Sequence, residues 1–318
     1  MKIVFTDSKT VISGKADIEV LNEFGEVVLY DATSPKELPE RIADADMALC
    51  NKTIFSAEAM SKAKKLKYIG LCATGYNNID VGYAAEHGIT VCNAGSYSTD
   101  AVAQHTFALM LNRFSRVSEY DRFVSEGSWK KSEVFSPMVY EMHEISGKTL
   151  GIVGFGSIGA AVAKIAAAFG MNVIVYTRTP KKHSNAAAVE FVGFDELLSR
   201  SDIVTVHCPL NDQSDRMFNK EAFAKCKKGA FFINTARGGI VDEYALKNAL
   251  ESEWLSGAAV DTISLEPMSE DCPLFGVKNL TITPHIAWSP AETIDRLINI
   301  VADNIRCYLN GTPKNKVN

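Results

Sequence analysis

Short apolar runs alternate with helical patterns from the first residues of the chain. KIVF (2–5), EVVLY (26–30), MALC (47–50), KYIGL (67–71) and ITVCN (89–93) have the length and composition of buried strands. ADIEVLNEF (16–24) and AEAMSKAKK (57–65), which lie between them, carry the spacing of helices. A long helical pattern follows from Ser98, with Ser98 or Asp100 as N-cap and Gly127 as its stop, and predicts one helix over roughly 99–126. Residues 128–146 have little period and read as loop. A second alternating series begins at KTLGIVGFG (148–156) and runs through NVIVYT, AVEFV, DIVTVHC, GAFFINTA, GAAVD and LTITP. The chain then closes with an amphipathic helical pattern over 291–311, ended by Gly311. Strands separated by helices give parallel β-α-β units, so the expected class is α/β with two doubly wound parallel sheets.

Composition narrows the picture. Of 318 residues, 47% are hydrophobic and 22% charged, which is enough apolar surface for buried cores in two domains. The net charge of -5 and the lack of a basic stripe argue against a nucleic-acid partner. The lysines at 62, 64, 65 and 67 read as the solvated face of a short helix. MKIVFTDS is too short in apolar residues for a signal peptide, and no run approaches a membrane span. Seven cysteines without a C-x-x-C pair fit free thiols in a reducing cytoplasm rather than disulfides or a zinc site. No compact His/Cys cluster predicts a catalytic metal.

The chemistry begins at VGFGSIG. Gly154, Gly156 and Gly159 have G-x-G-x-x-G spacing, directly after a strand and opening an alanine-rich helix. Gly154 permits the turn, Gly156 lets the backbone approach a pyrophosphate, and Gly159 allows close helix packing. The N–H groups of that helix, including those of Ser157 and Ile158, would face the anion. A dinucleotide suggests hydride transfer, which needs a substrate anchor and a proton donor. Three strand ends supply them: Arg237 in NTARGGIVDE, Asp261 and Glu266 in VDTISLEP, and His285 in TPHIAW. Taken singly, each is more often a surface or filler residue. Together, downstream of a dinucleotide loop, they fit one reaction. Arg237 can fork a carboxylate and keeps its charge at any working pH, and His285 offers a titratable ring on a stiff proline-flanked segment.

With ATGYNNID and YSTDAVAQHTFALML added, these motifs resemble those of the D-isomer-specific 2-hydroxyacid dehydrogenase family, in its hydroxypyruvate reductase (glycerate dehydrogenase) branch. The resemblance implies a catalytic set of Arg237, Glu266 and His285. It also implies a discontinuous flavodoxin-like substrate domain of residues 1–97 and 288–318. A Rossmann domain over 98–287 would hold the cofactor, with hinges near Tyr97 and Trp288 and the active site in the cleft. Substrate would meet Asn51, Lys52 and the amides of Ala73, Thr74 and Gly75. Cofactor would meet His207, Pro209 and Thr235, with Asp261 receiving the nicotinamide carboxamide. The expected substrate is a small 2-keto or D-2-hydroxy acid, hydroxypyruvate or glyoxylate foremost. A homodimer built by the 99–126 helix and the Trp129 loop is expected by analogy. A phosphoglycerate dehydrogenase, many of which carry an added regulatory domain for which these 318 residues leave no room, is the rival enzyme. A dinucleotide-sensing corepressor on the same fold is the rival non-enzyme.

The sequence departs from the common pattern of NAD-specific relatives at VIVYTRTPKKH. Thr177 stands where those relatives resemble an aspartate, and Arg178 follows it. The carboxylate that would repel a 2′-phosphate is gone, and Arg178, Lys181 and Lys182 add positive charge, with Thr177 and Thr179 as hydroxyl donors. The expectation is therefore NADP(H), with NAD(H) as the alternative.

Overall fold

The expected strands form two parallel sheets, each in a separate unit of the computed structural model, which describes residues 1–12, 17–178 and 189–318. One unit is Met1–Ser98 with Trp288–Asn318, and the other is Thr99–Ala287. The first holds β1 (Lys2–Phe5), β2 (Glu26–Leu29), β3 (Met47–Cys50), β4 (Tyr68–Leu71) and β5 (Thr90–Cys92), in the order β2-β1-β3-β4-β5. That is the flavodoxin-like order. Its strands alternate sides with the period of two that extended backbone imposes. Ile3 and Phe5 pack with Leu297, Ile298, Val301 and Ile305 of the Ala291–Leu309 helix, while Val4 packs with Leu38, Ile42 and Met60 on the other face. Leu297 is fully buried, so Leu297→Ala removes a core anchor worth about 2–5 kcal/mol.

The second unit holds β6 (Thr149–Val153), β7 (Asn172–Tyr176), β8 (Glu190–Phe191), β9 (Ile203–Val206), β10 (Phe231–Asn234), β11 (Gly257–Val260) and β12 (Leu280–Ile282). Their order is β12-β11-β10-β9-β6-β7-β8, all parallel, with the direction of winding reversing between β6 and β9. This is the Rossmann arrangement, extended by one strand. Its faces are also both covered: Leu150, Ile152 and Ile233 face one core, and Val153, Val204 and Phe232 the other.

Register places the chemistry. Val153 pairs with Tyr176 on one side and Val206 on the other, Val206 with Asn234, Asn234 with Val260, and Val260 with Ile282. The next residue of each strand therefore stands at the same carboxyl edge: Gly154, Thr177, His207, Thr235, Asp261 and Thr283. In open α/β sheets that edge is where ligands bind.

Four local expectations are corrected. ADIEVLNEF forms a 3-10 helix over Glu19–Phe24, not an α-helix. The predicted 99–126 helix is two helices, Thr99–Ser115 and Val117–Ser125, broken where Arg116 takes φ +53°. Arg116 has a side chain and no adjacent glycine or proline, so composition gave no sign of the break. The helix expected over 57–65 stops at Lys62, leaving Lys64, Lys65 and Lys67 exposed beyond it. Within the expected loop, Trp129–Lys131 makes a 3-10 turn. Among the described residues, no helix is long and apolar enough to cross a membrane, and all seven cysteines are free thiols.

Candidate active site

The glycine loop follows β6 because only glycine fits there. Gly154 has φ +96°, and a Cβ on it would lie 2.6 Å from the Cys208 amide nitrogen at the end of β9. A Cβ on Gly159 would lie 2.2 Å from the Gly154 carbonyl oxygen, so this residue sets how closely the Ser157–Ala168 helix approaches the turn. Gly156 is different. A Cβ there would meet nothing within 4 Å, since the residue precedes the helix and faces a cavity.

That cavity, of about 530 Å³, is lined by Gly154, Gly156, Thr177, Arg178, His207 and Pro209, among others. Its size suits a small-molecule site. None of its described lining residues is acidic. The Arg178 guanidinium donates to Gln213 Oε1 across its mouth. Thr179, Lys181 and Lys182, which the sequence placed beside the cofactor's ribose, lie outside the described residues.

His207 lies half-buried in the cavity wall, with its Nδ1 shut away from solvent. Its Nε2 meets Thr205 Oγ1 at 2.9 Å, while Nδ1 has no partner among the described residues. Burial pushes its pKa down to about 3, so the ring is neutral. A buried nitrogen without a partner is costly unless a ligand supplies one. A glycine cradle with room in front of it and an unsatisfied ring nitrogen in the wall fit a dinucleotide.

The opposite wing of the same sheet edge carries the candidate acid–base groups. His285 Nδ1 and Glu266 Oε2 are 2.7 Å apart, and Glu266 Oε1 accepts the Ile263 amide at 3.1 Å. Nδ1 therefore donates to the carboxylate, leaving Nε2 as the nitrogen that can give or take a proton. The His285 side chain is 21% exposed, open enough to meet a substrate. The loop that bears Arg237 lies against the Ile263 backbone because Gly238 is glycine: a Cβ there would lie 1.9 Å from the Ile263 carbonyl carbon. The loop after β10 thus presses on the backbone that leads to Glu266. Asn234 Nδ2 donates to the Arg237 carbonyl, and the guanidinium Nη1 donates to the Ala236 carbonyl at 2.7 Å.

Asp261 lies between these wings and is 1% exposed. Burial alone would raise its pKa, yet donors from His105, Thr283 and the Ala287 and Ile286 amides outweigh it and hold the carboxyl below its usual range. Its side chain is thus engaged by its own unit, a function the sequence reading did not include. Thr235 is also buried, with its hydroxyl 3.3 Å from that of Thr106.

In the other unit, the residues expected to meet substrate form two turns at strand ends. Asp7 was missed by sequence reasoning and organises the first: its carboxylate accepts the amides of Asn51, Lys52 and Thr53 at 2.9, 2.5 and 2.9 Å. Asn51 is buried, and its side-chain amide donates to Thr10. The Lys52 side chain is exposed. In the second turn, the Ala73 carbonyl accepts the Ala94 amide, the Thr74 carbonyl accepts Asn93 Nδ2, and the Thr74 hydroxyl donates to the Gly95 carbonyl. None of these bonds uses the amide N–H groups of residues 73–75.

The family described as D-isomer specific 2-hydroxyacid dehydrogenase, NAD binding domain, matches residues 107–287. The chain belongs to the D-isomer-specific 2-hydroxyacid dehydrogenase family. Similar proteins agree along its length. A hydroxypyruvate reductase of Blautia hydrogenotrophica is 39% identical, with 100% of both chains covered. A glyoxylate reductase of Thermococcus litoralis is 38% identical over 95% of this chain and 93% of its own. A solved acyclic imino acid reductase (Bsp5), in complex with NADPH and D-Arg, is 30% identical with full coverage of both chains and a TM-score of 0.86. As a 2-hydroxyacid dehydrogenase, the protein is an oxidoreductase that uses a nicotinamide cofactor.

Proposed function

We propose that this dehydrogenase reduces small 2-keto acids, hydroxypyruvate and glyoxylate foremost, with NADPH preferred to NADH. The pairing of His285 with Glu266, on the sheet edge that also bears Arg237, carries the proposal. Reduction of a keto group needs a hydride at carbon and a proton at oxygen. The cofactor supplies the hydride when bound to the glycine loop. His285 delivers the proton from Nε2, and Glu266 holds the ring and balances its charge. Arg237 fixes the substrate carboxylate and polarises the carbonyl. Lys52 and the amides of Ala73, Thr74 and Gly75 add positive potential for that carboxylate. Asn51, whose side-chain Nδ2 donates to Thr10, joins them as a substrate contact. The small-acid assignment follows the hydroxypyruvate and glyoxylate reductases to which the chain is similar.

NADPH preference rests on the non-acidic lining near Thr177 and on Arg178 at the cavity mouth. A charge-assisted hydrogen bond is worth about 1.5–3 kcal/mol, so Arg178→Ala should weaken NADPH at least about tenfold and leave NADH nearly unchanged. The enzyme is further proposed to be a cytoplasmic homodimer. Seven free thiols suit a reducing compartment. Phe135 and Met138 are 90% and 89% exposed beside Trp129 and the Val117–Ser125 helix, an apolar surface that a second copy would cover. Steady-state kcat/KM with hydroxypyruvate and glyoxylate, for each cofactor, tests the reading. Turnover below detection with both acids would leave dinucleotide sensing as the better account, and a clear NADH preference would overturn the phosphate assignment.

A further inference from the structure

His285 does not sit in a relaxed backbone. Its φ is +56°, in the left-handed region that a side-chain-bearing residue occupies only when its surroundings compel it. The compulsion comes from Asp261. Its carbonyl accepts the His285 amide at 2.8 Å, its Oδ1 accepts the Ile286 amide at 3.0 Å, and its Oδ2 accepts the Ala287 amide at 2.9 Å. On the other side of His285, the Thr283 hydroxyl donates to Asp261 Oδ1 at 2.5 Å. One buried carboxylate therefore grips the chain both before and after the proton donor.

The grip has a further support. His105 Nε2 lies 3.1 Å from Thr283 Oγ1 and 3.5 Å from Asp261 Oδ1. A hydroxyl has a single proton, and that of Thr283 already points at Asp261. His105 must therefore be the donor, with its proton on Nε2. The bonds run in one direction, from His105 to Thr283 to Asp261, and each polarises the next. The next residue of the same helix does parallel work. Thr106 gives its own proton to the Val102 carbonyl at 2.8 Å and so accepts from Thr235. One turn of the Thr99–Ser115 helix thereby ties Thr283, two residues before His285, and Thr235, two residues before Arg237.

We propose that His105 is a positioning residue for hydride–proton transfer, holding the His285 loop in its left-handed conformation through Thr283 and Asp261. This rests on the reading of His285 as the proton donor. His105 is expected to act on the rate step, since a proton donor displaced by a fraction of an ångström still lets substrate and cofactor bind. The chosen variants separate a donor at this place from mere bulk. His105→Leu removes the donor, whereas His105→Gln returns an amide N–H close to the position of Nε2. Thr283→Val cuts the chain one link further on.

The test measures kcat and KM for hydroxypyruvate, NADPH affinity by nicotinamide fluorescence, and amide exchange across residues 283–288. Expected for His105→Leu are a kcat lower by about tenfold, KM and NADPH affinity within about twofold, and faster exchange at Ile286 and Ala287. His105→Gln should recover kcat to within about threefold, and His105→Leu added to Thr283→Val should cost little more than Thr283→Val alone. Parental kcat and exchange in His105→Leu, or a glutamine variant as impaired as the leucine one, would overturn the proposal. So would independent, multiplicative losses in the double variant. If His105→Leu does not fold, the glutamine and valine variants carry the comparison. If the parent protein does not reduce hydroxypyruvate, the function reading fails by itself, and the exchange at Ile286 and Ala287 still decides the positioning role.

Discussion

Two histidines stand at the same carboxyl edge of one sheet, three strands apart, in contrasting surroundings. His207 follows β9, holds its Nδ1 away from solvent with no ionic partner beside the ring, and stays neutral, its pKa pushed down to about 3 by desolvation. His285 follows β12, is partly exposed, and shares a 2.7 Å contact with the Glu266 carboxylate. The neutral ring can offer shape and one unsatisfied nitrogen to a ligand. The paired ring directs Nδ1 at the carboxylate and leaves Nε2 for a substrate. Both stand at strand ends, and under the proposed function the neighbouring carboxylate assigns the acid–base work to His285.

The contrast can be broken by changing either ring or its supports. His285→Asn should produce the largest effect, a kcat for keto-acid reduction lower by about 10²–10⁴, measured at saturating cofactor. A variant within threefold of the parent would remove His285 from proton transfer. Arg237→Ala should follow, lowering kcat/KM by about 10²–10³ through both constants, because a carboxylate anchor acts in the ground and transition states. Loss confined to KM would make it a binding group only. Glu266→Gln should lower kcat about tenfold while leaving NADPH affinity unchanged, since the amide can still orient the ring but cannot balance its charge. Equal losses of affinity and rate would instead point to collapse of the loop.

The smallest expected effect sharpens the other side of the comparison. The His207 pKa is lowered from 6.5 to about 3 on folding, so the unfolded chain takes up a proton there first as pH falls. That group therefore costs no stability above about pH 6.5, and stability is lost progressively from there down towards pH 3. At pH 5 the loss is about 2 kcal/mol. Urea midpoints at pH 7.5 and pH 5 should lie further apart in the parent than in His207→Gln, whose acid sensitivity is reduced by that amount. Identical acid sensitivity of the two proteins would mean that His207 titrates normally in the fold.

Much of this was legible in the chain because its signals are local. Apolar runs between helical patterns led to two parallel sheets, and the register of those strands brings Gly154, Thr177, His207, Thr235 and Asp261 to one edge. Two glycines were readable for the same reason, since a tight turn and a close approach demand them at Gly154 and Gly159, whereas the approach at Gly238 depends on a distant backbone and was not read. What escaped depended on partners distant in sequence. Asp7 gathers three amides more than forty residues away, and a strand-end aspartate says nothing about which backbone it will meet. His105 lies 178 residues from Thr283, inside a helical pattern where a lone histidine looks like filler. The break at Arg116 escaped because the helical periodicity continues across it.

The central claim is that the two histidines divide the work, one serving the cofactor and the other the proton. It is tested most directly by determining NADPH dissociation constants and keto-acid kcat side by side for His207→Gln and His285→Asn. The account predicts that His207→Gln weakens NADPH by about three- to tenfold, the worth of one hydrogen bond, with kcat at saturation little changed. It predicts the reverse for His285→Asn, with NADPH affinity within about twofold and kcat lower by about 10²–10⁴. Loss of the same parameter in both variants would contradict it.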